Sequence, residues 1–285
     1  MRYPAVLPRV GPASVRTELR KVWAYMKKEF LIEMSYKFAF MFSVFGIFTS
    51  IATYFFIDRL FGSQMTPDLA PFGTRYFAYV LVGNAFFAYV GTAIGGFSGR
   101  IAAEQTWGTL EVLFGTPTRL WVLIGAVMAW NALYASAEVV SYFVVGSVGF
   151  GVEFSRVNWA TLISILGLVI VAFNSLGLVE AGCLLVFKRG AVAAWAFNSV
   201  SALLGGVFFP VTVLPPWLQR IAEWNPVTHA VRGLQLAIYQ GAPVTQLARE
   251  LWVLGLFCAV LVPLGLFSWG WALRRARIDG SLSLH

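Results

Sequence analysis

Residues 159–187 read WATLISILGLVIVAFNSLGLVEAGCLLVF, an apolar stretch in which Glu180 is the one charged side chain. A helix needs about 20 predominantly apolar residues to cross the roughly 30 Å of hydrocarbon in a bilayer. Lipid offers no hydrogen-bond partner to an open backbone, so a chain that crosses the bilayer here must be helical. The stretch therefore predicts a membrane-spanning helix, long enough to tilt or protrude.

The composition of the whole chain agrees with a membrane protein. Of its 285 residues, 59% are hydrophobic and 12% are charged, whereas soluble domains contain about 45–50% apolar and about 25% charged residues. This balance excludes a soluble globular fold and a disordered chain. We expect an all-α integral membrane protein with six transmembrane helices. The predicted spans cover approximately residues 38–57, 76–98, 121–146, 159–187, 191–210 and 252–273.

The distribution of Lys and Arg predicts how the spans are oriented, because cytoplasmic loops are enriched in both residues. If the N-terminus is cytoplasmic, 15 of the 21 Lys and Arg residues fall on cytoplasmic segments. We therefore expect both termini on the cytoplasmic side of a multi-pass protein. The net charge of +8 is explained by this flanking of spans, so it does not indicate nucleic-acid binding.

Residues 1–37 form a predicted cytoplasmic N-terminal segment, ahead of a six-span domain at 38–285. Its apolar residues recur at three- and four-residue steps and basic residues flank them, which is typical of a helix lying in the membrane interface. The alternative is a short soluble helix docked on a partner. The apolar stripe consists of Val15, Leu19, Val22, Met26 and Phe30.

The inner segment at about 104–117 reads EQTWGTLEVLFGTP. It has the pattern of a short amphipathic helix, with Glu104 and Glu111 on the water-facing side and Pro117 at its end. A cytosolic helix too short to span the membrane is a candidate docking surface for another protein. The alternative is an ordinary loop that caps two spans.

The outer segment at about 205–241 contains two short helical patterns before the last span. Apolar stretches of 10–14 residues are re-entrant or interfacial rather than spanning, so we expect a re-entrant helical hairpin. Asn225 is placed to cap the second helix and Pro226 to occupy its first position. That helix is expected to end near Gly241. The apolar side of the first helix would carry Trp217, Leu218, Ile221 and Trp224.

The order of these parts resembles the membrane-spanning subunit of a type-2 ABC exporter, which has six spans, an interface helix, an inner coupling helix and an outer hairpin. Two motifs resemble its coupling segment, Gly108-Thr109-Leu110-Glu111 and Thr116-Pro117. Three others resemble its hairpin: Phe208-Phe209-Pro210, Leu214-Pro215-Pro216-Trp217-Leu218 and Asn225-Pro226. The implied coupling residues are Glu104, Gly108, Thr109, Leu110, Glu111, Thr116 and Pro117. The implied residues of an outer gate are Pro210, Pro215, Pro216, Trp217, Asn225 and Pro226.

The resemblance implies a transport subunit rather than an enzyme, in a bacterial or archaeal cell membrane. It implies two copies of a separate cytosolic ABC ATPase that bind ATP and Mg²⁺, and a second permease copy, as a homodimer in preference to a heterodimer. This chain lacks a Gly-x-x-x-x-Gly-Lys-Ser/Thr phosphate-binding motif, so we expect it to bind no cofactor and no metal itself. The implied cargo is an amphipathic or glycan molecule, that is a drug, a lipid or a polysaccharide.

Polar residues inside the predicted spans are candidates for the translocation path. They are Glu138, Asn174 and Glu180. An ionisable group inside the bilayer costs about 2.5–3.5 kcal/mol on insertion scales, which makes it a functional candidate. A structural role with hydroxyl or amide partners is the other interpretation. An alternative function follows from the two acids: a proton-coupled secondary transporter in which Glu138 and Glu180 carry protons.

Two acid–base pairs lie beside the predicted outer ends of spans. Asp58 adjoins Arg59, and Glu153 lies three residues before Arg156. We interpret both as interfacial ion pairs. A membrane-bound transferase would need a larger cluster of reactive polar groups, which the sequence does not provide.

Overall fold

A computed structural model describes residues 15–60, 67–108, 118–154, 156–187 and 191–279. All regular structure in these ranges is helical, as predicted. Their α-helices are α1 Val15–Ser35, α2 Lys37–Leu60, α3 Tyr76–Thr106, α4 Leu120–Val144, α5 Trp159–Phe187, α6 Ala191–Leu204, α7 Pro216–Ala222, α8 Pro226–Gln235 and α9 Ala248–Asp279. Two π-helical turns continue α4 and α8, at Val145–Gly149 and Leu236–Gln240. Two 3₁₀ turns lie at Ala70–Phe72 and Val211–Val213.

Within the described residues, five helical stretches are long and apolar enough to cross a membrane. They are Met41–Leu60, Tyr76–Thr106, Trp121–Gly149, Trp159–Phe187 and Ala248–Ala276. Five of the six predicted spans are thereby confirmed as apolar helices of sufficient length. The bounds of the fourth span agree with the prediction at both ends, whereas the second and the last are longer than predicted.

The sixth full-length span, predicted at 191–210, is not confirmed by the part of the chain that the structure describes. Helix α6 has 14 residues, so at a rise of 1.5 Å per residue it is about 21 Å long, less than the roughly 30 Å of a bilayer core. The helix ends at Leu204, and Gly206 has a φ of +71°, a conformation that glycine adopts readily. Apolar residues continue through this break, so the composition alone did not reveal it.

The core lies where α3, α5 and α9 pack together. Helices α5 and α9 lie along each other, and α3 packs against α4 and α5. The backbones approach closely: a Cβ on Gly177 of α5 would lie 2.6 Å from the Ile94 carbonyl oxygen of α3, and a Cβ on Gly265 of α9 would lie 2.5 Å from the Ser175 carbonyl oxygen. Phe173 is fully buried in this core.

Helix α1 confirms the helix predicted in the N-terminal segment, and it turns a polar side to the protein. It packs against α4. Glu29 is buried, whereas Leu19 and Phe30 of the predicted apolar stripe are 62% and 53% exposed. Exposed apolar residues on the outer side of α1 are what a helix in contact with lipid needs.

Helices α7 and α8 form a hairpin between α6 and α9, in the segment predicted at 205–241. Apart from Arg232, every residue of α8 is buried or half-buried, because the helix packs against α3, α5 and α9. We call the end of the helix bundle that carries α7 and α8 the hairpin end. The last turn of α3, which ends at Thr106, lies at the opposite end.

Candidate functional site

A chain of polar contacts runs from the opposite end of the bundle into its core, and we call it the inner polar network. Helices α1, α3, α4 and α5 each contribute to it. Its members are Lys28, Glu29, Arg100, Glu104, Asn131 and Asn174.

The part of this network nearest the end of α3 consists of ion pairs between α1 and α3. The Lys28 ammonium pairs with the Glu104 carboxylate, and the Arg100 guanidinium pairs with the Glu29 carboxylate. Lys28 Nζ also lies 3.5 Å from Glu29 Oε1. Glu29 and Glu104 are 5% and 6% exposed. Buried carboxylates need such partners, because a buried charge without one is strongly destabilising.

From Arg100 the network continues into the spans through two asparagines. Arg100 Nε donates to Asn131 Oδ1 at 3.2 Å, and Asn131 Nδ2 lies 3.4 Å from Asn174 Oδ1. Asn174 is fully buried and donates to the Ile170 carbonyl oxygen at 2.9 Å. Asn131 packs over Gly96, where a Cβ would lie 2.7 Å from its Oδ1. The charges on α1 are thereby connected to the middle of α5.

Aromatic rings cover the charged part of the network. The Arg100 Cζ lies 5.7 Å from the ring centroid of Trp130, and Lys28 Nζ lies 5.3 Å from that of Tyr25. Burial, and then the nearby Glu29 carboxylate, raise the pKa of Tyr25 well above its usual range. The carboxylates of Glu29 and Glu104 are buried, and ion pairs removed from water attract more strongly than exposed ones.

The predicted position of Glu104 on the water-facing side of a separate short helix is wrong. Helix α3 continues to Thr106 and buries Glu104 against Lys28. Gly108 follows with a φ of +68°, a conformation that commonly ends helices. The other predicted coupling residues, Thr109, Leu110, Glu111, Thr116 and Pro117, lie outside the described residues.

The candidates for a translocation path lie in different surroundings. Thr92 Oγ1 donates to Glu138 Oε2 at 2.9 Å, which links α3 to α4. Glu180 is half-buried on α5. Asn174 belongs to the inner polar network, which also contains Glu104. The sequence had predicted separate roles for the two residues, Asn174 in the translocation path and Glu104 in coupling to an ATPase.

Several members of the network were missed from the sequence. Lys28 and Arg100 were counted only among the basic residues that flank spans, and Glu29 and Asn131 were not singled out. Two signals could have found the last two. Glu29 is an acid within a basic segment, and Asn131 is an amide inside an apolar run, where a polar group needs a partner.

Hydrogen bonds from side chains to the backbone anchor the hairpin to the start of α3. The Tyr239 hydroxyl donates to the Ala78 carbonyl oxygen at 2.6 Å, and the Tyr79 hydroxyl donates to the Gly206 carbonyl oxygen at 2.8 Å. Burial raises the pKa of Tyr239 well above its usual range. One of these hydrogen bonds holds the chain before α7, and the other holds the chain after α8.

The predicted start of the second hairpin helix is confirmed. Asn225 is the N-cap of α8, and its Oδ1 accepts a hydrogen bond from the Val227 amide at 3.0 Å. Pro226 occupies the first position of the helix. Asn225 Nδ2 also lies 3.3 Å from Ser201 Oγ on α6, so the cap joins two elements of the hairpin region.

The remaining residues of the predicted gate shape the first half of the hairpin. Pro215 and Pro216 begin α7, and Pro210 immediately precedes the 3₁₀ turn. Trp217 and Trp224 are 63% and 82% exposed. The apolar side of α7 therefore faces away from the bundle.

With this geometry established, the chain can be compared with known proteins. A sequence profile of the family described as ABC-2 type transporter matches residues 20–239. The chain belongs to this family. The match includes the whole inner polar network and the hairpin as far as Tyr239, so both regions of this ABC-2 protein lie within the part that defines its family.

Three relatives of this ABC-2 chain are 23–24% identical to it, and two of the three are named as permeases. Linearmycin resistance permease protein LnrN of Bacillus subtilis is 24% identical over 156 residues, which cover 52% of this chain and 40% of LnrN. The putative transport permease YvfS of Bacillus subtilis is 23% identical over 206 residues, or 71% of this chain and 80% of YvfS. Nodulation protein J of Rhizobium leguminosarum bv. trifolii is 24% identical over 200 residues, or 67% of this chain and 71% of that protein. The chain is thus a member of the ABC-2 transporter family, and its match spans less than half the length of LnrN.

Proposed function

We propose that the chain is the permease subunit of an ATP-driven exporter and carries no catalytic residue of its own. Two copies of a cytosolic ABC ATPase bind ATP and Mg²⁺, and two copies of the permease enclose the path for the cargo. Membership of the ABC-2 family supports this assignment. The lack of a Gly-x-x-x-x-Gly-Lys-Ser/Thr motif in the sequence agrees with nucleotide binding on a separate chain.

The proposal rests on the position of Glu104, the residue at which the inner polar network ends. Glu104 is the first residue of the predicted coupling segment at about 104–117. From Glu104 the network runs through α1 to Arg100 and on to Asn174 in α5. A displacement of the coupling segment by an ATPase would therefore act directly on side chains that reach the core of the permease.

Ion pairs between separate helices suit such a function, because partners can be exchanged while each helix keeps its backbone hydrogen bonds. Lys28 already lies near both Glu29 and Glu104. ATP binding can drive transport only if it favours one arrangement of the permease over another. In our proposal the two arrangements differ in how α1 and α3 are paired.

The proposed placement in the membrane follows from the exposed apolar residues. Helix α1 lies in the interface with Leu19 and Phe30 towards lipid, and the hairpin dips into the outer leaflet with Trp217 and Trp224 near the headgroups, where Trp is enriched. Helix α6 provides a short sixth span. Both termini are cytoplasmic, and the protein belongs to a bacterial or archaeal inner membrane.

The proposed cargo is an amphipathic or glycan molecule. The names of the relatives connect one of them with linearmycin resistance and another with nodulation. Since these names describe different roles, they support the broad class of cargo and no single compound.

Reconstitution with the ATPase tests the proposal. The charge reversal Glu111→Arg in the predicted coupling segment should lower ATP-driven transport about tenfold, which corresponds to a loss of about 1.4 kcal/mol in the contact. The matched charge reversal is Arg220→Glu on α7, an exposed residue at the hairpin end, and it should leave transport unchanged.

Two results would contradict the proposal. In one, the Glu111→Arg variant binds the ATPase and transports as the unaltered chain does. In the other, transport continues in vesicles depleted of ATP as long as a proton gradient is present. The second result would support the proton-coupled alternative, in which Glu138→Gln and Glu180→Gln should abolish transport.

A further inference from the structure

A cavity of about 730 Å³ lies at the hairpin end, beside the hydrogen bond between Tyr239 and Ala78 and away from the inner polar network. Its walls come from the end of α2, the start of α3, the segment after α4 and the last turn of the hairpin. Pockets for small ligands commonly measure about 300–1,000 Å³, so the cavity has room for the headgroup of a lipid. We call it the hairpin-end cavity.

Positive charge predominates at the rim of the hairpin-end cavity. Arg59, Arg75 and Arg156 line it and are exposed, against the acids Asp58 and Glu153. The predicted ion pairs of Asp58 with Arg59 and of Glu153 with Arg156 are wrong: within the described residues, none of the three guanidinium groups lies in an ion pair. Three arginines around one cavity therefore keep their hydrogen-bond donors available to an anion.

The Asp58 carboxylate is already engaged by the protein. Its Oδ1 accepts a hydrogen bond from the Phe77 amide at 3.3 Å, at the start of α3. This acid is buried, whereas the arginines extend to the surface. A guanidinium group presents paired donors that match a phosphate or carboxylate, which makes arginine the preferred residue for such anions.

Three phenylalanines, Phe55, Phe77 and Phe150, are among the residues that line the cavity. The Phe55 ring lies 4.9 Å from that of Phe150 and 5.3 Å from that of Phe77, measured between centroids. Arg59 Cζ lies 5.0 Å from the centroid of Phe55. The cavity thus combines a cationic rim with an apolar base, which suits a molecule with an anionic head and an apolar body.

A second, apolar cavity of about 200 Å³ lies deeper along the same helices. It is bounded by α3, α4, α5 and α8, and Ile238 borders both cavities. Val140 and Trp159 line it and are 57% and 66% exposed. The deeper cavity is therefore accessible from the lipid-facing surface of the bundle, and hydrocarbon can enter it.

We propose that the two cavities together bind an amphiphile with a phosphate-type anionic headgroup. The headgroup lies among Arg59, Arg75 and Arg156, and an acyl chain occupies the deeper cavity past Ile238. A small soluble anion would leave the apolar cavity unused, and a neutral lipid would leave the arginines unpaired. The proposal concerns binding alone and does not rest on the exporter function.

Native mass spectrometry of the detergent-solubilised full-length protein tests the headgroup. Phosphatidylglycerol and phosphatidylcholine with the same acyl chains are titrated in parallel. We expect phosphatidylglycerol to bind more tightly, and the double variant Arg75→Gln/Arg156→Gln to lose about tenfold in affinity for it, because each basic residue favours anionic lipid. The matched control Arg220→Gln removes an exposed arginine at the same end and should bind as the unaltered protein does.

A second pair of variants tests the acyl chain. Val140→Trp should obstruct the deeper cavity and weaken the binding of long-chain phosphatidylglycerol, while the dihexanoyl form is affected less. Val144→Trp is the matched control, one turn further along α4, also exposed, and outside the cavity. Both substitutions are at exposed positions, so neither should prevent folding.

Three results would overturn the proposal. Equal affinity for the two lipids would show that the arginines do not select an anion. If the Arg75→Gln/Arg156→Gln variant preferred phosphatidylglycerol as strongly as the unaltered protein does, other residues would be responsible for the preference. Competition by inorganic phosphate at the same concentration as the lipid would show that the site takes a free anion and not an amphiphile. Because no ATP or ATPase is present in these measurements, a failure here leaves the exporter function untouched.

Discussion

The two ends of the bundle are held together by different kinds of contact. At the end where α3 terminates, charged side chains of α1 and α3 pair with each other, as Lys28 does with Glu104. At the hairpin end, side chains such as Tyr79 and Tyr239 donate to backbone carbonyl groups. A charged side chain can change partners, whereas a carbonyl group is fixed by its helix or turn. At the first end Lys28 has two carboxylates within reach, Glu29 and Glu104, whereas the hairpin is tied to the start of α3 by these hydrogen bonds.

The largest effect should come from breaking an ion pair of the inner polar network. Glu29→Ala leaves the half-buried Arg100 without its carboxylate, and breaking a buried pair in this way costs up to about 3–5 kcal/mol. We expect a marked fall in the thermal midpoint of the purified protein in detergent.

The control for this prediction lies on the same helix. Glu33→Ala removes a half-buried acid that makes no ion pair within the described residues, and it should change the midpoint little. Adding Arg100→Met to Glu29→Ala should recover part of the stability, since an apolar side chain tolerates burial. Equal midpoints for Glu29→Ala and Glu33→Ala would refute the role of the ion pair.

A smaller effect is expected from the cap of the hairpin helix. Asn225→Ala removes the acceptor for the Val227 amide, and loss of an N-cap costs about 1 kcal/mol. Hydrogen–deuterium exchange should become faster in Pro226–Gln235 and remain unchanged in α1. Gln246→Ala, an exposed residue at the same end, is the control, and equal exchange in both variants would exclude a capping role.

The smallest effect is expected for the hydrogen bond between α3 and α4. Thr92→Val removes the hydroxyl that donates to Glu138 and should lower stability by about 0.5 kcal/mol, because the half-buried carboxylate keeps partial access to other partners. Thr92→Ser keeps the donor and should behave as the unaltered protein. If both substitutions lower the thermal midpoint equally, the hydroxyl is not the cause.

Features set by local sequence were predictable. The bounds of α5 follow from an uninterrupted apolar run, and the start of α8 follows from Asn225 and Pro226, because each signal is contained within a few residues. The end of α6 was missed because the apolar run continues past it. Gly205 and Gly206 are followed by apolar residues, so a run that composition treats as continuous contains a turn.

Features set by distant partners were not predictable. Glu104 was expected to face water because it precedes an amphipathic pattern, but Lys28, 76 residues away, buries it. Arg59 and Arg156 were expected to pair with neighbouring acids, yet the Asp58 carboxylate accepts a hydrogen bond from Phe77, 19 residues along the chain. Which charges meet depends on helix packing, and no spacing within the sequence encodes it.

Helix α3 is one continuous helix that joins the two ends of the molecule. Its 31 residues extend for about 47 Å, with Tyr79 bound to the hairpin near one end and Glu104 bound to α1 near the other. A tilt of about 5° about one end would displace the other by roughly 4 Å, which exceeds the length of a hydrogen bond. A small rotation of α3 at one end of the bundle can therefore make or break contacts at the other end.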